Sequence, residues 1–154
     1  MAENKFQTLE FRHIRKIMKF FSPLLILLLT VGILQSAYAI VDVTLTPPVM
    51  VSSTGKNLTS LHVGQQIGVE STLTNHGTSE QKFTYLVQVL DNTGRTKYLE
   101  GFSASMLPSQ SFNASQVWIP KSTGTYTVQV FVWNSLASAI PLTNVIQTQI
   151  SVGE

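Results

Sequence analysis

The stretch Gly124-Thr125-Tyr126-Thr127-Val128-Gln129-Val130-Phe131-Val132-Trp133 decides the fold. Tyr126, Val128, Val130 and Val132 share one parity; Thr125, Thr127, Gln129, Phe131 and Trp133 share the other. Alternation of this kind is the period-2 signature of a β-strand with one face in a core. The second face begins polar and ends in two large aromatics, and the reading of function turns on it.

Working outward, the same alternation recurs between turn signals. Downstream, Asn134 to Thr143 is a longer loop containing Pro141; Ile146, Thr148, Ile150 and Val152 then alternate with Gln147, Gln149 and Ser151. Upstream, Ser111 to Ile119 is strand-like and stops near Trp118 and Pro120, after a corner at Leu107-Pro108-Ser109-Gln110. Asp91-Asn92-Thr93-Gly94 is a hairpin turn from which Arg95 to Leu99 returns as a short strand. Before it, Phe83, Tyr85, Val87 and Val89 alternate with Thr84, Leu86, Gln88 and Leu90. Ile67, Val69, Ser71 and Leu73 form the face of an earlier strand, closed by the turn residues Asn75-His76-Gly77. Ser52 to Ser60 reads as loop. Ile40 to Thr46 is an edge strand, ended by Pro47-Pro48, which cannot continue a ladder. Seven strands and no helix after residue 39 predict an all-β sandwich over residues 40–154.

Residues 1–39 read differently. Phe20 to Leu34 is an apolar run interrupted by Pro23, Thr30 and Gly32. Basic residues precede it, and Ala37-Tyr38-Ala39 follows as a small-x-small cleavage site. This is the three-part pattern of a secretory signal peptide helix cut after Ala39. The alternative is an uncleaved N-terminal anchor, the chain's only membrane contact, although the run falls short of the ~20 apolar residues that span a bilayer. Met18-Lys19-Phe20 is an ordinary signal-peptide start by itself, which makes residues 1–17 a candidate over-long start. No adjacent arginine pair occurs, so the general secretory route is expected.

Charge supports this division. The net charge of +2 belongs to the leader: residues 40–154 carry five basic and six acidic side chains. A near-neutral chain with scattered charge has no electrostatic footprint for nucleic acid. The sequence contains no Cys, which excludes disulfides, thiolate metal sites and a cysteine nucleophile.

Ser122-Thr123-Gly124-Thr125-Tyr126-Thr127-Val128 resembles the corner before strand F of immunoglobulin-like domains, where a Gly permits the turn and a Tyr bonds back to it. Tyr126 takes the Tyr position, and Val128 stands where such domains carry their second Cys, so apolar packing would replace the disulfide. Gly64-Gln65-Gln66, Leu73-Thr74-Asn75-His76-Gly77 and the Pro108 corner resemble CARDB-like, adhesion-related modules. Closer still is the similarity to immunoglobulin-like modules of secreted proteins of ammonia-oxidising archaea, through 83–89, Trp118-Ile119-Pro120, 125–136 and Pro141-Leu142. The resemblance implies a seven-stranded immunoglobulin-like (CARDB/fibronectin-III-like) sandwich, located at the cell surface and working by binding or as structure. Such modules often occur several to a chain. A single module favours a small secreted subunit over a many-repeat adhesin.

No catalytic machinery is visible. There is no Gly-x-Ser-x-Gly elbow, and the carboxylates are scattered. His62, His76, Met50 and Met106 are the His and Met of residues 40–154, and no pair has ligand spacing. An exported copper-handling role is therefore a minor alternative, and no cofactor is expected. Asn57-Leu58-Thr59 and Asn113-Ala114-Ser115 are glycosylation acceptor sequences. The best functional signal is apolar surface. If Val87 and Val130 face the core, Leu86, Leu90, Phe131 and Trp133 point outward on adjacent strands, a patch that soluble monomers rarely leave bare. The alternative is that the Asn134–Thr143 loop or the 95–102 return folds over it. The expected partners are other cell-surface or extracytoplasmic proteins, including further copies of the chain. A second mechanical reading is strand donation by residues 40–46, hinged at Pro47-Pro48.

Overall fold

The computed structural model describes residues 42–154, within the compact unit Ile40–Glu154. The leader, the Ala39 cleavage site and the first two residues of the expected edge strand lie outside the described residues.

Among the described residues, nine strands build two sheets: β1 (Val43–Leu45), β2 (Val49–Val51), β3 (Leu61–His62), β4 (Ile67–Asn75), β5 (Gln81–Asp91), β6 (Thr96–Met106), β7 (Ser111–Trp118), β8 (Gly124–Trp133) and β9 (Ile146–Gly153). In the first sheet β4 is central. β7 runs along one side of it, while β1 and β2 share the other, antiparallel to its two halves. Pro47 and Pro48 interrupt what is in effect one edge. The second sheet has the order β3-β9-β8-β5-β6, antiparallel except for β3 on β9. Two such sheets face to face make the immunoglobulin-like sandwich.

All seven expected strands are present, with two differences. β2 and β3 flank the Ser52–Ser60 loop and are too short to show a period of their own. The return strand continues to Met106 instead of stopping at Leu99. Its inward residues Tyr98, Phe102, Ala104 and Met106 alternate, but Glu100 and Gly101 break the apolar pattern in between.

The core follows from parity. Ile67, Val69 and Leu73 of β4 meet Phe83, Tyr85, Val87 and Val89 of β5 and Val128, Val130 and Val132 of β8, all essentially sealed from solvent. Each such side chain contributes about 1.5–3 kcal/mol of transfer free energy, which is how the sandwich holds without a disulfide. Aromatic edges tighten the two ends. Phe83 packs edge-on against Phe112 at 5.4 Å, and Trp118 against Tyr126 at 5.1 Å.

Polar pins close the loops. Asn75 is buried at the end of β4; its amide nitrogen donates to the carbonyls of Ser79, Met106 and Leu107, and its oxygen accepts from Gly77 N–H. One side chain thereby ties the first sheet to the β6–β7 corner. At the β5–β6 hairpin, the Thr93 hydroxyl and the Arg95 amide hold the Asp91 carboxylate well below its usual range, and Lys97 pairs with it at 3.1 Å. Among the described residues, every buried side-chain nitrogen and oxygen has a partner.

Candidate interaction surface

β8 organises both faces of its sheet. It enters through Gly124, whose φ of 144° is a conformation that L side chains rarely adopt. Two residues on, the Tyr126 hydroxyl donates to the Ser122 carbonyl at 2.8 Å and lies 2.9 Å from Ser122 Oγ. The corner is thus locked by the first inward side chain of the strand. Val128, at the position of the missing cysteine, is fully buried.

The outward face of the second sheet is arranged in rows set by register. Thr84 stands beside Trp133, Leu86 beside Phe131, Gln88 beside Gln129 and Leu90 beside Thr127. The structure therefore brings Leu86, Phe131 and Trp133 together, the two rings 5.9 Å apart. Leu90 lies beyond the glutamine row and is separate from them. Leu86 is buried, at 9% exposure, while Phe131, Trp133 and Leu90 are half-buried. Two features cover the cluster in part. Gly101 is opposite Leu86 on β6, and its missing side chain leaves room for the Leu86 Cδ2 methyl. The 134–143 loop turns back on itself through Asn134 N–H to the Ile140 carbonyl, and Leu142 N–H then bonds to the Val132 carbonyl. That lays Pro141 beside Trp133 as an added neighbour of the strand. Leu136 and Ile140 of this loop, and Val145 just past it, stay exposed, so the loop extends the apolar surface as well as shielding it.

The outward face of the first sheet has the opposite character. Thr72 donates to Asn113 Oδ1, and Thr74 pairs with Ser111, both at 2.9 Å. Asn113 is exposed on this hydroxyl-rich face, and its amide nitrogen is free of the Thr72 bond. Asn57 is exposed in the loop after β2.

The remaining candidates do not converge. His62 sits on β3, its ring against the Glu154 carbonyl; His76 bonds to Thr44 Oγ1 beyond the far end of β4. The nine residues of β4 separate these ends by roughly 25–30 Å. Met50 and Met106 are core side chains. Among the described residues, no three of His, Cys, Asp and Glu stand together as a metal site. A cleft of about 360 Å³ opens near the tyrosine corner, lined by Lys97, Tyr98, Trp118, Ile119, Lys121, Ser122 and Tyr126. Burial, with Glu100 nearby, pushes the Tyr98 phenol above its ordinary pKa. Lys97 is already paired with Asp91, so the cleft presents Lys121 and little else that could do chemistry. Strand donation by residues 40–46 also meets an obstacle: β1 pairs within its own sheet, with Val43 in the core.

Two sheets, a locked corner before β8 and apolar packing in place of a disulfide define a CARDB-like immunoglobulin-like module. The CARDB domain of a Pyrococcus furiosus protein, solved in complex with di-metal ions, superposes with a TM-score of 0.50 at 21% identity, covering 73% of this chain and 88% of that one. A β-glucuronidase of glycoside hydrolase family 2 (TM-score 0.55, 13% identity) and a Listeria innocua β-glucosidase bound to gluconolactone (TM-score 0.54, 14% identity) share the architecture. These matches cover 69% and 73% of this chain but only 11% and 16% of the enzymes, so they show the fold alone. No curated protein matches the chain. The S-layer A-like family model matches residues 30–152, and the chain belongs to that family.

Proposed function

We propose that this chain is a non-catalytic structural and binding module of a cell-surface layer or a related extracytoplasmic assembly, exported by its leader. It would contact its neighbours in that layer through the surface of Phe131 and Trp133, which is seated on the buried Leu86. Membership of the S-layer A-like family supports the surface setting. The single observation that carries the contact is the pair of large aromatics, Phe131 and Trp133, on the outward side of the second sheet. The rings lie beside Leu86 and Pro141, yet each stays partly exposed on a face turned away from the core, and aromatic side chains are enriched where proteins meet.

Replacing Phe131 and Trp133 by Ser, followed by affinity capture from the membrane and surface fraction, tests the reading. Loss of the captured surface protein with the sandwich still folded is the expected result. Unchanged capture by the folded double variant would sink it.

A further inference from the structure

The edges of the two sheets are guarded unequally. β6 carries Lys97 and Glu100, Pro47 and Pro48 break the β1–β2 edge, and β7 carries the Asn113 acceptor sequence. β9 has no such device: from Ile146 to Gly153 it contains no charge and no proline. Natural edge strands usually carry a device of this kind, because an open row of peptide groups is a template for another strand. β3 covers only Val152 and Gly153 of β9, so among the described residues no strand pairs with Ile146 to Ile150 on that side.

Which groups face the opening can be worked out. Val63 N–H donates to the Gly153 carbonyl at 3.0 Å, so Gly153 presents its peptide groups to the β3 side. Orientation alternates along a strand, so Gln147 and Gln149 present theirs to the same side. Their side chains lie on the outward face of the sheet and continue a row of amides: Gln88 donates to Thr96 Oγ1 at 2.7 Å, and Gln129 to Gln147 Oε1 at 3.2 Å. The row ends at the open edge. On the inward face, Ile146, Thr148 and Ile150 are only half-buried, unlike the sealed valines of β8 beside them.

We propose that this edge pairs with the β9 of a second copy of this chain, antiparallel about a two-fold axis at Thr148. In that register Gln147 meets Gln149 of the other copy, and Ile146 meets its Ile150. Thr148 meets its own equivalent. Each copy thus supplies what the other lacks: amide partners outside, apolar cover inside, and backbone bonds from Gln147 and Gln149. The pairing is self-complementary, needs no charge, and fits the uncovered length. β3 closes each end, so the product is a discrete dimer with a ten-stranded sheet and not a filament. The aromatic surface of the preceding section plays no part in the contact, so the two ideas fail separately.

Sedimentation of residues 40–154 tests the pairing. The unchanged sequence is expected to shift from monomer to dimer with concentration, and the amide protons of Gln147 and Gln149 to become slow to exchange in the dimer. Gln147→Lys with Gln149→Lys sets like charges opposite each other twice and abolishes the dimer. Gln147→Lys with Gln149→Glu sets opposite charges in the same places and restores it. A monomer at every concentration, a dimer that survives the double lysine change, or no recovery with the charge pair would overturn the proposal. Should the variants fail to fold, rapid exchange of both amides in the unchanged protein at all concentrations would overturn it equally.

Discussion

Tyr85 shows how a single side chain couples the two sheets. It lies on the inward face of β5, fully buried, and its hydroxyl donates to the Val69 carbonyl of β4 at 3.2 Å, with Ser71 Oγ at 3.4 Å. Burial pushes the phenol up to about 12, with the Ser71 bond opposing and Glu70 adding a little. The unfolded chain ionises at about 10. The folded pKa is thus the higher one, so the stabilising contribution is complete below pH ~10 and is lost as pH rises towards 12. Denaturant titration at stepped pH checks this. Tyr85→Phe is expected to cost about 1 kcal/mol at neutral pH. That deficit should shrink and then reverse as the pH passes 10, because the phenylalanine variant has no proton to lose. A constant difference across the range would show that the phenol is not buried as described. The parity of Tyr85 is legible in the sequence. Its hydroxyl partners are not, since Val69 and Ser71 belong to a strand in the other sheet and no local pattern links them.

Among the elements, β6 illustrates what alternation reveals and what it hides. Tyr98 and Phe102 point inward as their parity requires, but Gly101 looks like a break, and the strand passes straight through it. The reason is a close approach. A Cβ at Gly101 would lie 2.2 Å from the Tyr85 carbonyl oxygen and 2.7 Å from Leu86 Cδ2. The glycine is a packing requirement for β5 and for the Leu86 surface, not a turn. Gly101→Ala must therefore push β6 away or displace Leu86, at a cost of about 3 kcal/mol, near the upper end for overpacking. Thermal melting should show this as a fall of roughly 10–20 °C for a domain of this size. A Tm within a degree or two of the unchanged protein would mean that β6 yields freely. The short elements escape the sequence for a different reason. β3 has two residues and pairs in parallel with β9, 91 positions downstream, so its existence depends on its partner and not on its own composition. The outward aromatics were legible because large side chains on the wrong parity are conspicuous. That Leu90 is set apart from them by Gln88 and Gln129 was not, because register between strands is fixed by contacts across the sheet.

For the molecule as a whole, alternation and turns revealed the sandwich, whereas the sheet edges emerged only once the strands had been placed in order. Parity tells which face a residue takes, but only topology tells whether a strand has a neighbour. The two proposed contact surfaces, the aromatic cluster and the β9 edge, both belong to the second sheet, and their relation has a consequence. A two-fold axis through paired β9 strands stands perpendicular to the sheet, so the aromatic clusters of both copies emerge on the same side. A dimer would thus offer a layer two identical contacts at a fixed spacing. Two linked contacts bind far more tightly than one without any new interaction, by a factor of 10² or more. Retention on the native surface fraction should then fall roughly a hundredfold for Gln147→Lys with Gln149→Lys, although every residue of the aromatic cluster is intact. Gln147→Lys with Gln149→Glu should recover it. Phe131→Ser with Trp133→Ser should abolish retention whether or not the chain dimerises. Equal retention of the monomeric and dimeric forms would show that the layer reads one domain at a time, and that β9 pairing, if present, serves a separate purpose.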